Sequence, residues 1–339
     1  MAQIKDVAKQ AGVSVASVSR VLTGQTKVSE ATRQRVLAAV KALDYRPDLA
    51  ARRLRSRRTD TIGLIVSDIR NPFFTEVSRA VEDVAYQQQW RVILCNADEN
   101  PDKEAAYLDL MRDENVSGVI LSPTLARLAR FRPADYPFPV VLIDRCDRDT
   151  AADAVVLDNL DSAYRLTAHL IANGYQRIGC LYGAVSATGR QRQEGYTAAM
   201  TAHGLKPQTI AVPATVDQAR STAAELLKQK TRPDALLASS GLILLGATEA
   251  LREAQWRFPE DIALAGFDDL PWTRLVEPGI TVIAQPTDDL GRAAIALLQQ
   301  RIAQPAQAVR RVVLRGELRV RGSSARLSPA PTSHPLTAA

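Results

Sequence analysis

Residues 14–23 carry the side chains near the N-terminus that are best suited to chemistry with nucleic acid. Val15 and Ala16 could contact thymine methyl groups, and Arg20 could donate two hydrogen bonds to a guanine edge. Four neighbouring hydroxyl side chains suit phosphate oxygens, which position a protein on DNA without reading its sequence: Ser14, Ser17, Ser19 and Thr23. The pattern therefore predicts a surface that binds double-stranded DNA.

Motifs of common enzyme sites are absent from the sequence. No glycine-rich nucleotide loop, no Gly-x-Ser-x-Gly turn and no Cys-x-x-Cys pair occurs among the 339 residues. The three histidines, His169, His203 and His334, lack the spacing of metal ligands. We therefore expect no catalysis, no cofactor and no metal site, and we expect the three cysteines to be buried, reduced thiols.

A helical head must position the side chains of residues 14–23. Apolar residues recur at helical spacing in residues 4–11, and Gly12 follows where a tight turn needs positive φ. Ser14 can cap a second helix, whose inward face is Val18, Val21 and Leu22. A small residue where the helices cross (Ala8), a glycine at the turn and aliphatic residues on the second helix together predict a helix-turn-helix. The second helix of such a motif enters the major groove of DNA.

A third helix completes this head. Ser29 can cap a helix from Glu30 to Leu43. Its core-facing residues are expected to be Val36, Leu37, Val40 and Leu43. The helix-turn-helix domain then covers residues 1–46.

Residues 47–60 are predicted to form a hinge helix and a linker. Pro47 and Asp48 can start a short helix that contains Leu49 and Leu54. A helix of this length is marginal alone because nucleation is unfavourable, so we expect it to order only on DNA. There Leu54 could enter a minor-groove step and kink the duplex.

The charge distribution supports DNA as the partner of the head. Residues 1–60 hold 13 Lys and Arg against 5 Asp and Glu, although the whole chain carries a net charge of only +6. A basic head on a nearly neutral body is typical of a tethered nucleic-acid-binding domain. The sequence also shows no signal peptide and no apolar run of about 18 residues. We therefore expect a cytoplasmic protein with no membrane partner.

From residue 61 onward, apolar strand-like runs alternate with amphipathic helical patterns. This alternation predicts parallel sheets covered on both faces by helices. Residues 61–322 exceed one doubly wound sheet, so two Rossmann-like subdomains are expected. Ligands in such folds bind beyond the carboxyl ends of the strands. Residues 323–339 are rich in Pro, Ser and Ala and are predicted to be a disordered tail.

Several runs of this sequence resemble the lac repressor (LacI/GalR) family. In the head these are Ile4–Ala8, Ala11–Ser14, Ser17–Leu22, Val28-Ser29 and Tyr45–Pro47. In the body they are Ile62–Val66, Asn71–Phe74, Val119–Leu121, Asp144-Arg145, Gly266–Asp269 and Thr281–Pro286. The resemblance implies an all-α helix-turn-helix head joined to an α/β body similar to periplasmic sugar-binding proteins. It also implies a homodimer on a pseudo-palindromic operator, with Leu54 as the intercalating leucine.

The resemblance further implies which residues contact a small effector. Asp144, Arg192 and Asp268 match the family's effector-contacting positions, and Gln285 lies near a crossover between subdomains. Phe73 and Phe74 could stack on a sugar face, or they could simply pack in the core where their helix begins. The full predicted set is Phe73, Phe74, Asp144, Arg145, Arg190, Arg192, Ser240, Asp268 and Gln285.

One departure from the family pattern bears on the effector. Where the family usually has Asn-Asp after a strand, this chain has Ser240-Gly241. Loss of that carboxylate beside Arg145, Arg190 and Arg192 favours an anionic effector, because arginine binds carboxylates bidentately. A sugar acid such as gluconate or 2-ketogluconate is the resulting hypothesis. A differently shaped neutral sugar is the alternative.

Together these patterns predict a transcriptional repressor that a small carbohydrate effector releases from its operator. A regulator that binds DNA together with a corepressor is an open alternative. An enzyme on the same fold and a periplasmic sugar-binding protein are remote alternatives, since the chain lacks catalytic motifs and a signal peptide and has a basic head. The ending Ser328–Pro331 offers no heptad helix, so a dimer is expected rather than a tetramer.

Overall fold

The computed structural model describes residues 2–22, 28–45, 59–147 and 150–325. The chain divides into two compact units, with the boundary between Thr59 and Asp60. Thr23, Leu54 and nearly all of the predicted hinge lie outside the described residues, as does the tail from residue 326 onward.

The first unit is a small helical domain with its own apolar core. Its helices are α1 (Ile4–Ala11), α2 (Val15–Leu22) and α3 (Glu30–Ala42). Gly12 ends α1 at φ 62°, in the left-handed region that glycine adopts without strain. One residue from each helix is fully buried at the centre: Val7, Val18 and Val36. The predicted three-helix head is confirmed.

One core prediction in the head is wrong. The Leu37 side chain is 50% exposed, whereas Val36 and Ala39 are buried and Val40 packs against them. Successive helical residues are separated by about 100° around the axis, so a residue next to Val36 turns away from the core.

The second unit contains two six-stranded sheets. The first sheet has the order β11-β5-β4-β3-β1-β2, and all its neighbouring strands are parallel. Its strands are β1 (Thr61–Val66), β2 (Arg91–Asn96), β3 (Val119–Leu121), β4 (Val140–Ile143), β5 (Asp153–Leu157) and β11 (Arg311–Leu314). Every residue of β1 is buried because helices cover both faces of the sheet.

The second sheet repeats this design. Its order is β12-β10-β9-β8-β6-β7, and only β12 runs antiparallel to its neighbour. Its strands are β6 (Ile178–Gly183), β7 (Gln208–Val212), β8 (Ala235–Ala238), β9 (Ala263–Phe267), β10 (Thr281–Ala284) and β12 (Glu317–Arg319).

Helices cover both sheets. They are α4 (Pro72–Gln87), α5 (Pro101–Asp113), α6 (Leu125–Leu128), α7 (Asn159–Ala172), α8 (Ala187–Ala202), α9 (Val216–Leu227), α10 (Gly241–Glu253), α11 (Pro271–Leu275) and α12 (Thr287–Ala303). The chain passes between the sheets three times: from β5 to β6, from β10 to β11, and from β11 to β12. Each sheet with its helices is therefore a lobe built from non-contiguous segments, and three connections join the lobes.

Two details of the body differ from the sequence predictions. Strands β5, β7, β11 and β12 were not predicted. The expected tail start at Ser323 is also wrong, because Ser323 and Ser324 are fully buried in a 3₁₀ turn. The Ser323 hydroxyl donates to the Leu264 carbonyl, so these polar residues are held in the interior by hydrogen bonds.

Candidate functional site

Loops that follow the carboxyl ends of strands in both sheets line one cavity of about 230 Å³. Its lining comes from the segments after β1, β2 and β4 in one lobe and after β6, β7, β8 and β10 in the other. The cavity is smaller than the ~300–1,000 Å³ usual for drug-sized ligands. It therefore fits a small ligand held between the lobes.

Asp144 and Arg145 form the first polar group of the cavity. Asp144 follows β4 at φ 69°, and its side chain accepts a hydrogen bond of 3.2 Å from Nε of Arg145. The Arg145 guanidinium also donates two bonds, of 2.8 and 2.5 Å, to the Glu99 carboxylate. Burial raises the pKa of the Asp144 carboxyl, while the charges of Arg145 and Arg192 oppose that shift. Arg145 is therefore already neutralised by protein carboxylates.

Arg192 is the second polar group and lies on α8. It is 3% exposed, donates 2.8 Å to Asn159 Oδ1 and 2.6 Å to the Ser239 carbonyl, and stacks 4.0 Å from the centre of the Phe267 ring. Burial lowers its pKa, and the negative charges of Asp268 and Asp144 partly offset this effect. Within the described residues its Nη2 has no hydrogen-bond partner, so one donor stays available to a ligand.

Asp268 and Gln285 form the third group. Asp268 follows β9 at φ 76°, and its two oxygens accept the Gly241 N–H at 2.8 Å and the Gln285 amide at 2.6 Å. Gln285 lines the cavity directly, whereas Asp268 lies behind it and lines a second, more polar cavity. Oε1 of Gln285 is buried and has no protein partner within the described residues, so it is an acceptor that a ligand or water could satisfy.

Phe73 and Phe74 line the same cavity. Their rings meet edge to face with centroids 5.0 Å apart, and both residues are 3% exposed. Asn71 caps their helix by accepting the Phe73 N–H, and both rings belong to the core cluster under α4 and α12. Phe73 and Phe74 therefore pack in the core where their helix begins, and they also form an apolar wall of the cavity.

Of two further predicted effector contacts, Ser240 lines the cavity and Arg190 does not. Ser240 lines the cavity and caps α10 by accepting the Ile243 N–H. Arg190 does not line it: its side chain is exposed, and Nε donates to the Ala184 carbonyl. Arg190 lies two residues before Arg192 on α8, so its side chain points away from the buried face that Arg192 occupies.

Other polar residues of the cavity were missed by the sequence predictions. They are Asp68, Arg70, Asp98, Glu99, Ser186, Thr188, Thr215 and Ser239. Asp68 and Arg70 pair through two bonds of 2.9 Å, and Glu99 is held at φ 54°. All eight follow strand ends, so collecting the polar residues after each predicted strand was the signal that could have found them.

The head presents the predicted DNA-contacting residues on α2. Val15, Ala16 and Arg20 are exposed, and Ser17 and Ser19 are half-buried. Ser14 precedes the helix, and its hydroxyl accepts the Ser17 N–H at 3.1 Å. The exposed surface of α2 is thus short and mostly neutral, with Arg20 as its charged residue.

Comparisons with known proteins match both units. Residues 59–317 match the periplasmic binding proteins and sugar binding domain of LacI family, and residues 3–48 match the bacterial regulatory proteins, lacI family. The chain belongs to the LacI family. The predicted family and fold class are confirmed: a helix-turn-helix head and a two-lobed, periplasmic-binding-protein-like body.

Individual LacI-family proteins match over nearly their full length. The ribose operon repressor of Escherichia coli K12 is 34% identical over 330 residues, which is 96% of this chain and 100% of that protein. The lac repressor dimer bound to operator and the anti-inducer ONPF superposes with a TM-score of 0.87 at 25% identity, covering 96% and 99% of the chains. A ribose-bound LacI family regulator from Enterococcus faecium gives 0.71 at 27% identity, covering 79% and 100%.

LacI-family membership assigns a role to each unit. The head is the DNA-binding domain of a transcriptional repressor, and the body is its sugar-binding domain. Members of this family are regulators and not enzymes, as the sequence predicted. Among the described residues, no helix is long and apolar enough to cross a membrane.

Proposed function

We propose that this LacI-family repressor is released from its operator by a small neutral sugar, with a pentose such as D-ribose as the first ligand to test. The charge pairing of the cavity carries this proposal. Four carboxylates line it, at Asp68, Asp98, Glu99 and Asp144, against three arginines. An anionic ligand would have to approach these carboxylates, whereas hydroxyl groups can donate to them.

Two of the three arginines are already committed to carboxylates. Arg70 pairs with Asp68, and Arg145 pairs with Glu99 and Asp144. Arg192 is near the charges of Asp144 and Asp268. Among the described residues that line the cavity, Arg192 is therefore the only arginine that is not paired with a carboxylate, and a ligand carboxylate would have to bind there. The size of the cavity and the likeness to a ribose-bound regulator and a ribose operon repressor also support a monosaccharide.

A sugar acid is the second candidate. The free Nη2 of Arg192 is a charged donor, and Ser240-Gly241 adds no carboxylate to this part of the cavity. A ketoaldonate would place its carboxylate at Nη2. Arg190, the third arginine on which the sugar-acid hypothesis depends, lies outside the cavity, which weakens that candidate.

Titration calorimetry on the full-length protein separates these ligands. D-ribose, gluconate and 2-ketogluconate are titrated in parallel, with glucose as a neutral hexose. Binding of D-ribose or glucose without either acid supports the neutral-sugar proposal. Binding of 2-ketogluconate or gluconate alone overturns it in favour of the acid.

The direction of regulation needs operator DNA. Fragments selected by the protein from a random duplex pool serve as probes in a gel shift with and without the sugar that binds. Release of the fragment by that sugar supports induction, which is expected if the sugar binds more tightly to the state of the protein that has the lower operator affinity. Tighter binding with sugar would show corepression instead.

The same proposal includes the protein surfaces that act with the cavity. Val15, Ala16 and Arg20 read base edges, Ser14, Ser17, Ser19 and Thr23 bind phosphates, and Leu54 enters the minor groove. The protein acts as a homodimer in the bacterial cytoplasm, where operator DNA lies. Its likeness to the lac repressor dimer over 96% of the chain supports the homodimer.

A further inference from the structure

Glu104 is a carboxylate buried in the first lobe at a distance from the cavity wall. It lies on α5 and has no exposed side-chain surface. Burial raises the pKa of its carboxyl, and the Thr124 N–H acts against that shift. Burying an ionisable group is unfavourable unless its contacts compensate. The contacts that compensate the burial of Glu104 therefore indicate what its carboxylate does in the fold.

The contacts of Glu104 lead to the turn after β3. Oε2 of Glu104 accepts the backbone N–H of Thr124 at 2.7 Å. The preceding residue, Pro123, directs its carbonyl to Arg145, and Nη1 of Arg145 donates to it at 3.3 Å. These two groups belong to a single peptide unit, whose N–H is held by Glu104 and whose carbonyl oxygen is contacted by Arg145.

Glu99 and Glu104 lie five positions apart in the chain, and both are linked to Arg145. Glu99 binds the guanidinium directly through two hydrogen bonds, and Glu104 acts through the Pro123-Thr124 backbone. On its outer side Glu104 lies 3.4 Å from Nε of Arg127, whose Nη2 donates to the Tyr136 hydroxyl. The Glu104 carboxylate therefore lies between the half-buried Arg127 on one side and the turn that contacts Arg145 on the other.

We propose that Glu104 is a positioning residue for effector binding, which holds the Pro123-Thr124 turn and thereby the orientation of Arg145 in the cavity. This inference rests on the proposed sugar-binding role of that cavity. Arg145 holds the Glu99 and Asp144 carboxylates that line the cavity, so a shift of its guanidinium would move the acceptors offered to sugar hydroxyls, although Glu104 itself does not contact the ligand.

Calorimetry with D-ribose tests the effect on binding. In the full-length protein, Glu104→Ala should raise the Kd about tenfold, because the Pro123-Thr124 turn loses the hydrogen bond that holds it and Arg145 shifts in the cavity. Glu104→Gln keeps the shape of the side chain and should raise it less. The control is Asp109→Asn, a change at an exposed carboxylate on the same helix, which should leave the Kd unchanged.

A double-mutant cycle separates positioning from a general structural role. If Glu104 acts through Arg145, adding Glu104→Ala to Arg145→Ala should change the Kd by less than about twofold. Losses that multiply, or a Glu104→Ala protein with the wild-type Kd, would overturn the proposal.

A measurement without ligand keeps this inference separate from the identity of the sugar. The ¹⁵N-labelled Nε–H signal of Arg145, assigned with Arg145→Lys, should shift and exchange faster with water in Glu104→Gln. The Glu104→Ala protein, which has no acceptor for the Thr124 N–H, should show the larger shift, and an unchanged signal in Glu104→Ala would overturn the inference even if the wild-type protein binds D-ribose. A wild-type protein that binds no D-ribose would defeat the proposed ligand, and the Arg145 signal would still decide the role of Glu104.

Discussion

The Gln285 side-chain amide donates a hydrogen bond of 2.6 Å to Oδ1 of Asp268. Gln285 directly follows β10 of the second lobe and stands just before α12, which packs on α4 of the first lobe. The other oxygen of Asp268 accepts the Gly241 N–H at the start of α10. One carboxylate therefore joins two strand-end loops of the second lobe to a connection between the lobes. A ligand that contacts Gln285 would therefore act on a segment that connects the two lobes.

Replacing Asp268 with asparagine should weaken sugar binding and so raise the sugar concentration that releases the operator. In Asp268→Asn, the new side-chain amide would turn an N–H toward Gly241 or Gln285, both of which are donors, so one hydrogen bond is lost. Asparagine tolerates the left-handed backbone at this position, so the fold should persist. We expect the Kd of the sugar to rise by at least about tenfold, by calorimetry.

Operator binding provides the control for Asp268→Asn. In a gel shift without sugar, the variant should bind the selected operator fragment as the wild type does. A variant that is released by wild-type sugar concentrations would show that Asp268 does not support sugar binding.

The two arginines on α8 offer a matched pair of substitutions. Arg192→Lys removes the planar guanidinium that bonds Asn159 and Ser239 and stacks on Phe267. The single ammonium nitrogen of lysine cannot reach Asn159, the Ser239 carbonyl and the ligand at once, so sugar affinity should fall about tenfold or more. Arg190→Lys changes an exposed side chain outside the cavity and should leave the affinity unchanged. Equal losses in the two variants would contradict the placement of the cavity.

The structure explains which elements the sequence could predict. Strands such as β1 and β4 are buried on both faces, so they appear as continuous apolar runs. Strands β7, β11 and β12 form sheet edges and carry exposed polar residues, for example Thr209 and Arg311. These three strands carry neither a long apolar run nor strict alternation, whereas the edge strand β2 was predicted because it contains the apolar run from Val92 to Cys95.

The sequence predicted the kind of site, a cavity at the ends of parallel strands, better than it predicted which residues line that cavity. Asp144, Asp268 and Gln285 directly follow strands whose carboxyl ends meet at one edge of each sheet, and Arg192 reaches the same region from α8, the helix after β6. Glu99 was missed since its role depends on a left-handed turn that brings it to Arg145, 46 positions away. Arg190 was wrongly included because it was chosen for its charge. The direction of its side chain depends on its position around the helix, two residues from Arg192, and this position turns it away from the cavity.

The end of the described chain should respond to pH through His169. Its Nε2 lies 2.8 Å from the Ser324 hydroxyl, and burial lowers its pKa below the ordinary value of 6.5. A histidine with a lowered folded-state pKa favours the neutral form, so stability is retained above pH 6.5 and falls as pH drops through that value toward the folded-state pKa. Urea unfolding between about pH 5 and about pH 7.5 measures this slope.

The variant His169→Gln tests the origin of that pH dependence. Glutamine can keep a hydrogen bond to Ser324 but does not titrate. Its free energy of unfolding should therefore vary less between about pH 7 and about pH 5 than that of the wild type. An identical slope would assign the dependence to other groups.

Leu275 provides a test of the homodimer. Its side chain is 81% exposed at the end of α11, beside the half-buried Trp272 and Val276. An apolar surface of this kind is typical of an interface in an oligomer. Leu275→Glu should shift the sedimentation coefficient from dimer toward monomer, whereas Leu160→Glu, at another exposed leucine, should not. A dimer that survives Leu275→Glu at low micromolar concentration would place the interface elsewhere.

Arg20 should carry much of the sequence specificity of the head. It is exposed on α2, whose other outward residues, Val15 and Ala16, can offer only apolar contacts. Loss of a bidentate base contact costs about 1–3 kcal/mol of discrimination. Arg20→Ala should therefore weaken binding to the selected operator by about tenfold or more, measured by fluorescence anisotropy at fixed salt.

The comparison with nonspecific DNA decides which contact Arg20 makes. If it reads a base, Arg20→Ala should weaken operator binding far more than binding to random duplex, because a base contact exists only at the operator. Ser17→Ala is the control: loss of a phosphate contact should weaken both DNAs about equally. Equal losses for Arg20→Ala on the two DNAs would make Arg20 a phosphate contact. Specificity would then depend on the short apolar face of α2 and on Leu54, which makes the same measurement on Leu54→Ala informative.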